Sequence, residues 1–139
     1  MLFAVPSFYW ALGGDFAEGT IAADVDEALG SAAEPWVVAV TGVTKLLFAA
    51  FALSFVWLAP DPYRRARTTA GVVLGAGLAL YGMANFAGHL VMLTGVDDVP
   101  EALGRTAVYW HTFLWDPYWV LGGVLFLMAV RRFARTSTP

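Results

Sequence analysis

Charged positions along this chain fall into short stretches that separate four apolar ones. Residues 1–14 are apolar and uncharged, 36–59 are broken by a single charge at Lys45, 70–95 hold Asn85 and His89, and 106–130 hold His111 and Asp116. At about 1.5 Å per residue, the last three each reach across a hydrocarbon core of roughly 30 Å. The first reaches only about 21 Å, so it is read as a helix that starts inside the bilayer or upstream of Met1. It has no basic leading segment and no small-x-small cleavage site, which argues against a signal peptide. The expected fold is an all-α membrane protein with one domain over residues 1–139. Its four transmembrane helices, about 1–14, 36–59, 70–95 and 106–130, form an antiparallel bundle.

The connections agree with that layout. Asp15, Glu18, Asp24, Asp26, Glu27 and Glu34 make the first one acidic with no basic residue, and Asp97, Asp98 and Glu101 do much the same for the third. Between them, Pro60-Asp61-Pro62 stops the second span and Arg64, Arg65 and Arg67 follow; Arg131, Arg132 and Arg135 follow the fourth. Positive residues favour the cytoplasmic side, so both termini are placed there and both acidic loops outside, in a plasma-membrane protein. Within the first loop Ile21, Val25 and Leu29 recur at helical spacing, which reads as a short external amphipathic helix or as a plain solvated loop.

Composition supports the membrane reading. The chain is 59% hydrophobic and 14% charged, with a mean hydropathy of +0.65, where soluble domains are near half apolar and a quarter charged. A net charge of −3 with no basic stripe excludes a nucleic-acid-binding role. The absence of cysteine removes disulfides, thiolate metal sites and thiol nucleophiles.

The third span carries Gly71, Gly75, Leu78, Gly82, Asn85 and His89 within about 40° of one helix direction. Small residues let a neighbour's backbone approach, so Asn85 and His89 are expected to face the bundle. In the second span Lys45 shares a face with Thr41, Gly42, Ala49 and Ala52. Lys45 and Asp116 each lie about ten residues, roughly 15 Å, below the outer ends of their helices. Opposite charges at one depth predict an intramembrane ion pair. His89 and His111, roughly 6–9 Å deep, also match in depth. Pro117 has no N–H to give the carbonyl of Phe113, so a kink is expected beside Trp115, Tyr118 and Trp119. These three aromatics lie too deep for an interfacial belt and need partners for their polar atoms.

Tyr9-Trp10-Ala11-Leu12-Gly13-Gly14 near the start and Leu114-Trp115-Asp116-Pro117-Tyr118-Trp119-Val120-Leu121-Gly122-Gly123 in the last span resemble motifs of the bacterial family called domain of unknown function 3995. That resemblance covers most of the chain and implies a small four-helix membrane protein. The family has no assigned activity, so it implies no catalytic residue.

No serine-histidine-aspartate spacing, phosphate loop or paired-glutamate motif is present, and the sequence leans away from an enzyme. The leading expectation is a small lipophilic or amphipathic ligand held inside the bundle. Trp115, Tyr118 and Trp119 would line the site, and Asn85, His89, His111, Lys45 and Asp116 would orient the ligand. Two rivals stand beside it. One is a haem- or quinone-linked electron-transfer subunit, with non-covalent haem b ligated by His89 and His111, or a divalent metal on the same histidines completed by Asp15. The other is a small proton-coupled transporter working as a homo-oligomer, with Asp15 or Asp116 as the carrier.

Overall fold

The computed structural model describes residues 4–14, 35–57, 62–101 and 103–136, and every regular element among them is helical. Helix α1 (Val5–Ala11) has proline in its first turn, where the missing N–H costs nothing. It ends against Gly13 at φ 86°. Helix α2 runs over Pro35–Trp57. Helix α3 (Arg64–Thr94) ends at Gly95, whose φ of 77° lets its N–H turn back to the Met92 carbonyl at 3.2 Å. Helix α4 (Gly104–Trp110) passes through a π turn at His111–Trp115 into α5 (Asp116–Thr136). The expected external amphipathic helix falls outside the described residues.

Among the described residues, three helices are long and apolar enough to cross a membrane: Trp36–Trp57, Arg64–Thr94 and Gly104–Arg135. Two of them outrun the expected spans. Helix α3 starts at Arg64 rather than near residue 70, and α5 continues to Thr136, so both arginine groups lie on helix. Arginine is a good helix former, and its aliphatic stem follows the apolar surface while the head reaches water. Only 6% of the most apolar stretch of α2 is buried within the protein. Its Trp36, Leu47 and Trp57 point outward, as they do on a helix solvated by lipid.

The closest approach is between α3 and α5, and it follows the glycine stripe. A Cβ on Gly71 would meet Val130 and Phe55, one on Gly75 would meet Leu127, and one on Gly82 would lie 2.8 Å from the Asp116 carbonyl. Gly123 answers from α5, where a Cβ would lie 2.5 Å from the Ala79 backbone nitrogen. At the arginine end, Phe55, Phe126, Val130 and Phe133 form the buried core. The Arg67 guanidinium lies 5.4 and 5.0 Å from the Phe55 and Phe133 ring centres and donates to the Ser54 carbonyl at 3.1 Å.

Candidate functional site

The π turn sets the geometry of the site. The backbone N–H of Asp116 donates to the His111 carbonyl, five residues back, where an α-helix would use the Thr112 carbonyl. Pro117 supplies the cause. It offers no N–H to the Phe113 carbonyl and its ring crowds that carbonyl, so the chain loses little by widening here. In an unbroken α-helix His111 and Asp116 would lie about 140° apart. A turn closed five residues on stacks them on one face instead.

Gly82 admits the Asp116 backbone against α3, and two turns further along α3 stands His89. His89 Nδ1 donates to Asp116 Oδ2 at 2.7 Å, and His111 Nδ1 lies 3.6 Å from Oδ1. The two imidazole centroids are 5.0 Å apart with the rings tilted by 40°. Asp116 is 1% exposed. A carboxylate so buried needs polar partners, and the two histidines provide them. Each histidine keeps a partly open edge, with side-chain exposures of 13% and 27%.

Asp116 is therefore held by histidines and not by Lys45. Lys45 Nζ donates instead to Ser7 Oγ at 2.8 Å, across to α1. Equal depth left the direction around the helix open. Gly42 of α2 packs against the Phe8 ring of α1, and at this contact Lys45 reaches Ser7. Ser7, itself 1% exposed, was a findable partner, because it is a polar side chain inside an apolar first helix.

The other expected residues separate into distinct places. Tyr118 and Trp119 line a cleft of about 390 Å³ between α2 and α5, together with Lys45, Ala52, Leu78 and Gly122. The Tyr81 ring meets Trp119 edge-on at 5.7 Å. Trp115 packs edgewise on Trp10 of α1 at 6.2 Å. Asn85 Nδ2 donates to the Tyr81 carbonyl of its own helix at 2.8 Å. Asn85, Trp115, His89 and His111 are not among the residues lining the cleft. Asp15, the expected third metal ligand, lies outside the described residues.

The histidine pair does not fit a haem. Axial ligation places the macrocycle between two imidazoles, whereas these rings lie against each other and both turn Nδ1 towards one carboxylate. The cluster brings together two imidazoles and a carboxylate, with one candidate ligand atom from each within 4.8 Å of the others.

Residues 1–126 match the family described as "Protein of unknown function (DUF3995)", and the chain belongs to that family. No curated protein and no solved structure matches it.

Proposed function

We propose that the chain is a four-span antiparallel bundle that holds one small lipophilic or amphipathic molecule in the cleft between α2 and α5. The cleft carries this reading. Its volume of about 390 Å³ falls within the range of small-molecule sites. Its walls are mostly apolar, with Tyr118 and Trp119 among the lining residues and Lys45 as its basic group. A ligand with an apolar body and a polar or anionic end satisfies both. Val56, Leu121 and Leu125 line the cleft and are also exposed on the outer surface, which gives a lipophilic molecule an entry from the bilayer.

Contacts between α3 and α5 run in opposite order along the two helices, which supports the antiparallel arrangement. Gly71 meets Val130 at one end and His89 meets Asp116 at the other. Arg64 donates to the Ala134 carbonyl at 2.8 Å, so both arginine groups share one end, assigned to the cytoplasm.

The test is to extract the protein in mild detergent and identify copurifying small molecules by mass spectrometry, beside a Gly122→Leu variant. A Cβ at Gly122 meets nothing within 4 Å, so leucine occupies cleft volume without a backbone collision. The wild type should carry a defined molecule and the variant should lose it at unchanged helicity. Identical copurifying material at identical stoichiometry would overturn the reading.

A further inference from the structure

The geometry points to a divalent transition-metal site formed by His89, His111 and Asp116, separate from the ligand cleft. One candidate ligand atom from each residue falls within 4.8 Å of the other two. A tetrahedral ion with bonds of about 2.0–2.1 Å holds its ligand atoms about 3.4 Å apart. His111 Nδ1 faces Oδ1 at 3.6 Å and His89 Nδ1 faces Oδ2 at 2.7 Å, so each imidazole addresses its own carboxylate oxygen, and the His89 contact must open by about 0.7 Å to reach that spacing. The ion would stand where His89 now shares a proton with Asp116, and each imidazole would then carry its proton on Nε2.

The backbone arrangement argues for a purpose beyond satisfying one carboxylate. On α-helices, metal-binding pairs are set four residues apart, so that both side chains leave the same face. Here the π turn gives the same stacking to a pair five residues apart, at the one place where Pro117 permits it. The third ligand comes from α3, so the ion would bridge two helices that the glycine stripe already holds in contact. Two neutral imidazoles and one carboxylate suit Zn²⁺, Fe²⁺ or Co²⁺ and not Mg²⁺ or Ca²⁺, which take oxygen ligands. Three protein ligands leave at least one position open for water or another group. The histidines, with side-chain exposures of 13% and 27%, leave the cluster open to an ion, and the C-terminal end of α3 follows His89 by about one turn. At that same end Asp97, Asp98 and Glu101 are exposed and set up a field that concentrates cations.

Co²⁺ is the probe, because its tetrahedral complexes absorb in the visible. Chelator-stripped wild-type protein in detergent should bind one Co²⁺ per chain, release it to Zn²⁺ and melt at a higher temperature with either ion. His111→Ala and Asp116→Asn should each weaken binding by more than about 100-fold, while Gly77→Ala, whose Cβ meets nothing, should bind as wild type. His111→Cys keeps a ligand in place. The chain has no cysteine of its own, so a sulfur-to-cobalt charge-transfer band in this variant assigns the ligand directly. Folded wild type that takes up neither ion overturns the site. So does binding undiminished in His111→Ala and Asp116→Asn, or folded His111→Cys without the band.

Discussion

His89 Nδ1 lies 2.7 Å from Oδ2 of Asp116, and this contact ties the C-terminal half of α3 to the start of α5. The carboxylate is 1% exposed, so losing the imidazole leaves a buried charge with only the longer His111 contact. His89→Leu should therefore cost about 3 kcal/mol of stability in detergent. His89→Leu combined with Asp116→Leu should recover part of that loss. A double-mutant cycle on thermal or denaturant unfolding reads the coupling, and purely additive losses would show that the contact contributes nothing.

What could be read from the residues alone ended where the helix stopped being regular. The stripe of Gly71, Gly75, Gly82 and His89 was legible because α3 keeps one period from Arg64 to Thr94. In the last span Pro117 and the π turn insert a change of phase, and His111 stands over Asp116. Depth, counted from the helix ends, suggested Lys45 for Asp116. Direction around the helix decided otherwise, because α2 meets α1 at Gly42 and Lys45 there reaches Ser7. Helices α3 and α5 run on past the expected spans because hydropathy falls at the arginines while the backbone stays helical.

The glycines of α3 and α5 should divide sharply in their response to alanine. At Gly123 a Cβ would lie 2.5 Å from the Ala79 nitrogen and 2.6 Å from the Gly75 carbonyl, both backbone atoms that cannot step aside. Gly123→Ala should cost about 2–3 kcal/mol as the helices are pushed apart. At Gly77 and Gly88 a Cβ meets nothing within 4 Å, so alanine there should be neutral or stabilising by up to about 1 kcal/mol. Equal melting temperatures for all three variants would contradict the packing.

Because the chain contains no cysteine, single cysteines report sidedness without a background. Asp98→Cys, in the acidic turn, should react with an impermeant maleimide on intact cells. Tyr63→Cys, exposed beside the arginines at the start of α3, should react only after permeabilisation. The reverse pattern would place the arginine end outside and sink the cytoplasmic assignment.

Pro117→Ala restores the N–H that the Phe113 carbonyl lacks, and it removes the ring that crowds that carbonyl. The wide turn then has less reason to persist, and an α-helical path bonds the Asp116 N–H to Thr112 rather than to His111. His111 would swing about 100° around the helix relative to Asp116, while His89, on another helix, would keep its place. The variant should thus hold the His89–Asp116 coupling and lose the His111–Asp116 coupling, read as two double-mutant cycles in the Pro117→Ala background. Loss of both would mean that the proline positions Asp116 itself. Retention of both would mean that packing at Gly82, where α3 meets the Asp116 carbonyl, maintains the π turn without the proline.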